Sequence, residues 1–277
     1  MHAISLECEV DRISDDVTVG LLSENQTQSA RAILRAREAG IFAGDDVVSA
    51  FSNLFESEIK MTCELKNGNP LSKKQEILRM EGPAGSCLSL ERTLINYLSF
   101  LSGIATLTHF FVEAVKPHPT QILATRKTLP GLRDLQLQAV VAGGGHIHRR
   151  NLSDGILIKE NHQIFSNPLE MLKKAKRDRS PLHRVEIEVQ ELTTLDSILK
   201  DPPDVIMLDN FSFPDTEIAI QKIRGCAIAN HCRIEVSGGM TIDKVARLAA
   251  LGVDYISVGQ LTHSSHSLNM SVDFERL

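Results

Sequence analysis

The sequence predicts an α/β protein in two parts, an α+β module up to about residue 116 and a parallel α/β sheet after it. Two observations lead to this prediction. The first part combines strand-like segments with one long apolar helix, and from about residue 120 short β-branched runs alternate with longer helical patterns. Strands that alternate with helices form right-handed βαβ units and therefore a parallel sheet. Six such strands fit a TIM-like barrel, complete or incomplete, or a doubly wound sheet.

The elements of the first part follow from local signals. Apolar and basic residues alternate over 29–37, two aspartates precede an apolar-periodic segment, and a turn-forming run lies at 67–70. These signals are typical of a strand, an N-capped amphipathic helix and a turn between strands. The predicted elements are a strand at 29–37, a helix that begins at Asp45–Asp46, strands at 59–65 and 75–80, and a helix at 84–115 that Pro117 and Pro119 end.

The long helix has the length of a membrane span, because no Asp, Glu, Lys or Arg occurs between Arg92 and Glu113. Polar residues nevertheless interrupt this segment throughout, from Asn96 to His109. A helix buried inside a soluble protein explains this pattern better than a lipid-facing one. We therefore expect no membrane association.

The second part contains six strand candidates separated by helix candidates. The strands are predicted at 121–124, 155–158, 184–187, 204–208, 233–236 and 254–258, and the helices at 168–178, 191–200, 215–224 and 241–251. Charged or glycine residues directly follow every one of these strands: Arg126 and Lys127, Lys159, Glu188, Asp209 and Asn210, Ser237 to Gly239, and Gly259. Because the carboxyl ends of parallel strands meet at one mouth of a barrel, these residues predict a single polar site.

Cations are concentrated near this predicted site. The window from Arg126 to His162 carries six Lys and Arg residues against three Asp and Glu, in a chain with a formal net charge of −5. Such a cluster suits a small polyanion, since Arg offers carboxylates and phosphates a bidentate fork, and a solvated surface face is the alternative. His146 and His148 also allow a metal centre, but no third ligand has a fitting spacing.

Glycine turns and carboxylates complete the predicted site. The turns at 237–241 and at Gly259 follow the last two strands and precede helices, an arrangement that binds phosphate in barrel enzymes. Glu188 and Asp209 end neighbouring strands; such carboxylates hold a hydrated Mg²⁺, bind sugar hydroxyls or stabilise positive charge on a sugar carbon. The residues alone thus predict an enzyme that acts on a phosphorylated sugar and a small anionic partner.

Composition limits the partners and the compartment. With 30 Lys and Arg against 35 Asp and Glu, the basic excess that favours nucleic acid or an anionic membrane is missing. The five Cys residues form no CxxC pair, which is typical of a reducing compartment. Residues 1–7 show neither a basic nor an apolar run, so no secretory signal is predicted there and we expect a cytoplasmic enzyme.

Several short motifs occur in a recognisable order. They are Glu91-Arg92-Thr93, Leu101 to Thr106, Thr125-Arg126-Lys127-Thr128, Pro130 to Arg133, Gly143-Gly144-Gly145 with His148-Arg149, Leu157 to His162, Leu208 to Phe211, Glu235 to Gly239 and Ser257 to Ser264. In order and spacing the chain resembles the quinolinate phosphoribosyltransferase family from about residue 15 to its C-terminus. The resemblance implies transfer of phosphoribosyl from phosphoribosyl pyrophosphate to quinolinate with decarboxylation. The products would be nicotinate mononucleotide, pyrophosphate and CO₂, in NAD biosynthesis.

The resemblance also implies an architecture. Residues 1–116 would form an N-terminal α+β open sandwich domain, and residues 117–277 an incomplete TIM-like α/β barrel domain. The protein would be a homodimer in which the N-terminal domain of one subunit covers the barrel mouth of the other. The long helix would then lie in the dimer core.

Roles for individual residues are likewise implied by the resemblance. Quinolinate would be bound by Arg92 of the neighbouring subunit and by Arg126, His148, Arg149 and Lys159. Lys127 would lie between the two substrates as a catalytic residue. Glu188 and Asp209 would be catalytic and would hold Mg²⁺ on the ribose side. The 5′-phosphate would be bound by Ser237, Gly238, Gly259 and His263.

The sequence departs from the usual family pattern at three places. Glu160 stands where the family usually has Asp, Leu137-Gln138 replaces a common Lys-Tyr pair, and Asp15-Asp16 replaces Gly-Asp. Three other functions stay open: a paralogue of the same fold associated with molybdenum transport, a sugar-phosphate aldolase or isomerase, and a phosphate-binding module without catalysis. The cation at Lys159 favours the quinolinate enzyme, because the paralogue tends to have an apolar residue there.

Overall fold

The computed structural model describes Ile4, Ser5, Glu9 and residues 13–277. The chain divides into two compact units. The first comprises Met1–His109, Thr128–Gly144 and Leu261–Leu277, and the second comprises Phe110–Lys127 and Gly145–Gln260. The predicted domain boundary at 116/117 stays a prediction. The segment considered for a secretory signal lies largely outside the described residues.

The first unit contains an antiparallel sheet and a long helix. Its strands are β1 (Ser29–Ala36), β2 (Gly40–Ile41), β3 (Lys60–Thr62), β4 (Pro70–Leu71) and β5 (Glu76–Pro83), together with the C-terminal strand Met270–Arg276. Its helices are α1 (Val17–Gly20), α2 (Asp45–Leu54), α3 (Ala84–Val115, of which residues to 109 belong here) and α4 (Arg133–Ala142), with 3₁₀ turns at Ile13–Asp15 and Ser23–Thr27. The four-stranded sheet has the order Met270–Arg276, β1, β5, β3, and β2 pairs with β4.

Helix α3 shows why polar residues interrupt its apolar sequence. Thr106 Oγ1 accepts a hydrogen bond from the Ile41 amide at 2.9 Å, and Ser102 Oγ accepts one from the Ala43 amide at 3.1 Å. These hydroxyls satisfy buried backbone groups of the segment after β2, which would otherwise be costly. The helix is long and apolar enough to cross a membrane, but half of its most apolar window is buried inside the protein. Its composition is that of a core helix.

Gly103 is required where α3 meets the C-terminal segment. A Cβ at this position would lie 1.9 Å from the His266 carbonyl oxygen. Only glycine allows this approach of two backbones. The Leu268 amide also donates to the Ser99 carbonyl at 2.9 Å, so the C-terminal segment is fastened to the helix by its main chain.

The second unit is built on a seven-stranded parallel sheet. Its strands are β6 (Gln121–Ala124), β7 (His146–Ile147), β8 (Ile156–Ile158), β9 (Val185–Val189), β10 (Val205–Asp209), β11 (Arg233–Ser237) and β12 (Tyr255–Ser257), so that the C-terminal strand of the first unit is β13. Its helices are α5 (Glu160–Gln163), α6 (Pro168–Asp178), α7 (Leu192–Ile198), α8 (Phe213–Gly225) and α9 (Ile242–Ala250), with a 3₁₀ turn at Ala227–Ala229; α10 (Gln260–His263) begins here and ends in the first unit. The sheet order is β7-β6-β12-β11-β10-β9-β8. Strands β7 and β8 are its two edges, so the barrel is incomplete, as predicted.

Two aspartates hold the N-terminal ends of these strands. Asp204 accepts hydrogen bonds from Arg179 and from the Val185 amide at the start of β9. Asp254 accepts from Arg224 at 2.7 Å, Arg233 at 2.6 Å and the Ile234 amide at 2.9 Å. Burial raises the pKa of Asp254, but these hydrogen bonds outweigh it and hold the pKa below its ordinary value. Each carboxylate thereby ties two neighbouring strands together.

Most predicted elements are confirmed, some with shifted ends. The six predicted strands of the second unit and its four predicted helices all occur, as do the strands near 29–37, 59–65 and 75–80 and the helices at 45 and 84–115. The helix at 45 begins at Asp45 with Gly44 as its N-cap, so the aspartates occupy its first turn instead of capping it. The short strand β7, the helix α4 and the strand β13 were not predicted. The four cysteines among the described residues are free, and Cys8 lies outside these residues.

Candidate active site

A cavity of about 620 Å³ opens at the carboxyl ends of the parallel strands, and we call it the upper cavity. Every strand of the second-unit sheet except β12 is followed by residues that line it, and β12 contributes Ser257 itself. Its lining residues are Thr125, Arg126, Lys127, His148, Arg149, Leu157, Lys159, Glu160, Glu188, Gln190, Met207, Asp209, Asn210, Ser237, Gly238, Gly239 and Ser257. The predicted convergence of polar residues at one mouth is therefore observed.

Nine residues predicted for the site lie together around the upper cavity: Arg126, Lys127, His148, Arg149, Lys159, Glu188, Asp209, Ser237 and Gly238. Gly259 belongs to the same unit and directly precedes α10 but is not part of the cavity lining. Arg92 and His263 belong to the first unit. Arg92 is exposed on α3, 3.8 Å from Glu91. The roles given to all twelve residues stay predictions.

Glu188 is the most deeply buried carboxylate of the upper cavity. Its side chain is only 3% exposed, and Lys159 Nζ lies 3.3 Å from its Oε2. Burial and a hydrogen bond with Glu160 raise the pKa of Glu188 to about 8, although the Lys159 charge opposes the shift. The same hydrogen bond lowers the pKa of Glu160. The two carboxyls therefore lie close enough for each to shift the pKa of the other.

Asp209 is positioned by an unusual backbone conformation in the next residue. Asn210 has φ +56°, and its side-chain amide donates to Asp209 Oδ2 at 2.7 Å. The Asn210 amide N–H donates to the Ser237 carbonyl at 3.0 Å. Left-handed conformations of residues other than glycine store strain and concentrate at functional sites. This turn holds the carboxylate at the end of β10 beside the glycine turn of β11.

Gly238 has no substitute at its position. Its φ is +102°, and a Cβ would lie 2.2 Å from Asn210 Oδ1 and 2.9 Å from the Asn210 amide nitrogen. The carbonyl of Gly238 accepts a hydrogen bond from Lys244 Nζ at 2.7 Å. After the turn, Thr241 caps the N-terminus of α9 by accepting from the Lys244 amide. The turn thus brings the exposed backbone, a lysine and the start of a nine-residue helix together, which suits an anion.

The two predicted glycine turns are joined directly. Gln260 Nε2, immediately after Gly259, donates to the Met240 carbonyl at 2.6 Å. The turns after β11 and β12 are therefore neighbours, although only the first lines the upper cavity.

His148 lies at the floor of the upper cavity against two buried acids. Its Nε2 lies 2.8 Å from Glu186 Oε2 and 3.5 Å from Glu235 Oε2. Burial lowers the pKa of His148, but the hydrogen bonds and charges of the two glutamates outweigh it and raise the pKa to about 10. Burial and the charge of Glu235 raise the pKa of Glu186 to about 7. The two acids therefore favour the protonated form of His148.

The donor set fits a magnesium ion at Glu188 and Asp209. Both carboxylates line the upper cavity from adjacent strands, and Mg²⁺ is commonly held by one or two carboxylates together with substrate phosphates. Burial and the neighbouring carboxylates raise the pKa of Glu188, so a cation at this place would favour its ionised form. A metal centre at His146 and His148 is not favoured, because His148 is engaged by Glu186 and Glu235.

The cationic window contributes only part of its charge to the cavity. Arg126, Lys127, Arg149 and Lys159 line it, whereas Arg133 is in the first unit and donates to Thr128. Arg150 is exposed. The four cations with His148 form one wall and the carboxylates Glu188 and Asp209 stand on neighbouring strands. This pairing suits a dianionic ligand on one side and a phosphorylated sugar on the other.

Sequence reasoning singled out neither Glu186 nor Gln190 nor Ser257, although each lies in or next to the cavity. The period-two pattern of β9 is the signal that could have found Glu186, because residues 186 and 188 face the same side of a strand. The three departures from the family pattern also have structural places. Glu160 pairs with Glu188, Leu137 is fully buried in α4, and Asp16 caps α1.

Comparison with known proteins agrees with this geometry. Two family models match the chain. The model described as "Quinolinate phosphoribosyl transferase, N-terminal domain" matches residues 16–102, and the model described as "Quinolinate phosphoribosyl transferase, C-terminal domain" matches residues 104–273. The probable nicotinate-nucleotide pyrophosphorylase [carboxylating] of Bacillus subtilis is 37% identical over 94% of this chain and 89% of its own length. The Mycobacterium leprae nicotinate-nucleotide pyrophosphorylase [carboxylating] is 36% identical over 96% and 99%.

Solved structures agree as well. The nicotinate-nucleotide pyrophosphorylase from Francisella tularensis superposes with a TM-score of 0.88 at 32% identity, over 99% of this chain and 95% of that one. The family matches together span nearly the whole chain. This chain belongs to the quinolinate phosphoribosyltransferase family.

Proposed function

We propose that the enzyme transfers the phosphoribosyl group of phosphoribosyl pyrophosphate to quinolinate and decarboxylates the product, giving nicotinate mononucleotide, pyrophosphate and CO₂ for NAD biosynthesis. It is a pentosyltransferase. The observation that carries the proposal is the upper cavity, where cations and carboxylates from five strand ends meet in a chain of this family. The relatives named above carry the same activity in their names.

Quinolinate is a dianion, and the cationic wall supplies its binding energy. Arg126, Arg149 and Lys159 with His148 provide the donors for two carboxylates. An arginine binds a carboxylate through two parallel hydrogen bonds, which fixes the plane of the pyridine ring as well as its position. Lys127, at the cavity edge after β6, is proposed to lie between the two substrates.

The sugar phosphate is proposed to occupy the opposite side. Ser237 and Gly238 hold the 5′-phosphate at the turn that precedes α9, together with Gly259 and His263. Glu188 and Asp209 face the ribose and hold the Mg²⁺. When bound, this ion neutralises the pyrophosphate leaving group.

The residues of the chain support each change of charge. As the C1–pyrophosphate bond breaks, positive charge develops on C1 and the ring oxygen, and the Glu188 and Asp209 carboxylates stabilise it. The pyridine nitrogen lone pair then forms the bond to C1. CO₂ then leaves, the electron pair of the C2–carboxylate bond stays on C2 where the adjacent pyridinium nitrogen stabilises it, and that pair takes up a proton.

An assay with quinolinate, phosphoribosyl pyrophosphate and Mg²⁺ tests the proposal. We expect nicotinate mononucleotide and CO₂ in equal amounts, no turnover when nicotinate replaces quinolinate, and loss of turnover with a chelator. Turnover of nicotinate, or tight binding of the sugar phosphate without any turnover, would contradict it. The second result would favour the phosphate-binding module.

The proposal includes a homodimer with shared sites. It is supported by Arg92, an exposed cation on the long apolar helix α3. Arg92 belongs to the first unit, whereas the cations that line the upper cavity belong to the second. Mixing Arg92→Ala with Lys159→Ala subunits tests it, because every mixed dimer would regain one intact site and random exchange makes half of all dimers mixed. About a quarter of the wild-type activity is expected after random exchange of subunits. No recovery would show that each subunit completes its own site.

We also propose a cytoplasmic enzyme. The free cysteines among the described residues support this compartment. Cell fractionation with an antibody tests the compartment, and recovery in the membrane or secreted fraction would contradict it.

A further inference from the structure

A second cavity of about 420 Å³ lies at the N-terminal ends of the same strands, and we call it the lower cavity. Residues at strand starts such as Gln121, Val205 and Tyr255 line it. His148 lines both cavities, whereas Glu186 and Glu235 line the lower one. The imidazole therefore stands between the proposed substrate site and a pair of acids. We call His148, Glu186 and Glu235 the histidine–acid cluster.

The histidine–acid cluster is buried and connected. The side chains of Glu186 and Glu235 are 8% and 1% exposed, and that of His148 is 14% exposed. Both carboxylates approach the same ring nitrogen, Nε2. Ser257, on the upper-cavity side, donates its hydroxyl to the other oxygen of Glu235. Glu235 is therefore held in place by Ser257, and the contacts of both acids with Nε2 fix the plane of the imidazole.

This geometry decides what the second ring nitrogen offers. Because both acids accept at Nε2, that nitrogen carries a proton in every favourable state of the ring. In neutral histidine Nδ1 would then hold a lone pair, which repels an anion. In the imidazolium Nδ1 carries a proton and is a donor. Nδ1 makes no hydrogen bond within the described part of the chain, so this donor is available to a ligand.

Other charged groups surround the cluster. Those of the lower cavity are His146, Arg149, Asp154, Arg184 and the Tyr255 phenol, and those of the upper cavity are Arg126, Lys127, Lys159, Glu160, Glu188 and Asp209. The cations oppose a positive charge on His148, so the two acids at hydrogen-bonding distance are what keeps the proton on the ring. The raised pKa of His148 agrees with this balance.

We propose that Glu186 and Glu235 are positioning residues for the transfer reaction: they hold His148 as an imidazolium whose Nδ1–H binds a carboxylate of the pyridine dicarboxylate. The inference rests on the proposed function for the identity of the ligand. The state of the ring is a property of the free enzyme and can be measured without substrate.

A metal ion held by the same three side chains is the competing explanation. Their ligand atoms lie within 4.8 Å of one another, which a divalent cation would accept. A metal bound at Nε2 would require a neutral His148. Only the side of the imidazole ring that is opposite Nε2 would then be available to the substrate. The 2.8 Å contact between His148 and Glu186 is an ordinary charge-assisted hydrogen bond, which favours the proton.

The test uses the full-length enzyme with ¹⁵N-labelled histidine. Its ring signals are recorded from pH 6 to 9, and His148→Gln identifies the His148 signal. We expect both ring nitrogens of His148 to stay protonated over this range in the wild type. In the double variant Glu186→Gln and Glu235→Gln, which keeps side-chain volume, the ring should lose a proton near the ordinary histidine pKa of 6.5.

Kinetics supply the second measurement. In the double variant, KM for quinolinate should rise about tenfold at pH 8 while KM for phosphoribosyl pyrophosphate stays unchanged. The increase should be smaller at pH 6, where His148 is again protonated. Glu81→Gln, which removes a carboxylate bonded to Arg31 in the first unit, is the matched control and should change neither constant.

Three outcomes would overturn the inference. They are a neutral His148 in the wild type at pH 8, an unchanged charge and KM in the double variant, and stoichiometric Zn²⁺ binding that requires all three side chains. If the double variant fails to fold, the single variants decide, since Glu186→Gln removes the shorter contact and should have the larger effect. Absence of quinolinate turnover in the wild type would refute the proposed function but would leave the ring measurement intact.

Discussion

The two ends of the parallel sheet in the second unit use the same kind of side chain for opposite purposes. At the N-terminal ends, Asp204 and Asp254 are saturated by arginines and backbone amides. At the carboxyl ends, Glu188 has Lys159 at 3.3 Å and the carboxyl group of Glu160 beside it. The first arrangement lowers the pKa of Asp254 and the second raises the pKa of Glu188. A carboxylate that is fully partnered stabilises the fold, and one that is incompletely partnered is available to a ligand.

The largest expected effect concerns the carboxyl end. Glu188→Gln should lower kcat by a factor of about 10² to 10³, because the carboxylate that is proposed to hold Mg²⁺ and to face the reacting sugar is lost. Thermal unfolding should change little, since the wild-type carboxyl is itself destabilised by burial. Initial rates of nicotinate mononucleotide formation and a melting curve measure both. Glu191→Gln, an exposed acid just beyond β9, is the control. Equal losses of activity and stability in Glu188→Gln would place this residue with the structural acids.

The glycine turn provides the next largest effect. Gly238→Ala should cost about 1–3 kcal/mol of unfolding free energy because of its positive φ, and it should displace Asn210 and so lower activity at least about tenfold. Gly225→Ala is a matched control at the end of α8, where an added Cβ meets nothing within 4 Å. That variant should be neutral or slightly stabilising. Urea unfolding and KM for phosphoribosyl pyrophosphate test the pair, and a harmless Gly238→Ala would contradict the assigned strain.

At the other end of the sheet the expected effect is on stability alone. Asp254→Asn should lower the free energy of unfolding by about 1–3 kcal/mol, because the hydrogen bonds to Arg224, Arg233 and the Ile234 amide are weakened. Activity per folded molecule should be unchanged. Urea unfolding and active-site titration measure the two quantities. Lost activity without lost stability would mean that the two ends do not divide their tasks as described.

The smallest expected effect is the pH dependence of the stability that Asp254 contributes. Because the folded-state pKa of Asp254 lies below the ordinary carboxyl value of 3.8, the stabilisation is complete above that value and disappears as the pH falls through the folded pKa. The difference in stability between wild type and Asp254→Asn should therefore be constant near neutrality and shrink below about pH 4. Unfolding at a series of acidic pH values measures it. A difference that grows in acid would contradict the sign.

The carboxyl-end residues were predictable because parallel strands obey a geometric rule. Once the strands before Arg126, Lys159 and Asp209 were recognised, their ends had to meet at one mouth. No such rule specifies which side chains a buried residue contacts. The contacts of His148 with Glu186 and Glu235 could therefore be found only from the three-dimensional structure.

Two parts of the fold escaped prediction for physical reasons. Strand β7 has two residues after a run of three glycines, too short for any periodic signal. Strand β13 carries alternating polar residues and pairs with β1, from which some 240 residues of sequence separate it. Pairing at that distance depends on the folded context of the first unit and leaves no local trace.

The pairing of β13 with β1 has a consequence for biosynthesis. In the first unit's main sheet, β1, β3 and β5 come from residues 29–83, whereas β13 comes from residues 270–276. Strand β1 therefore lacks one of its two neighbours until the ribosome has made residues 270–276. The parallel sheet of the second unit lies wholly between these two ranges and is translated earlier. During synthesis β1 is therefore an unpaired edge strand that can aggregate while the barrel forms. Binding by chaperones or rapid completion of the chain would protect it.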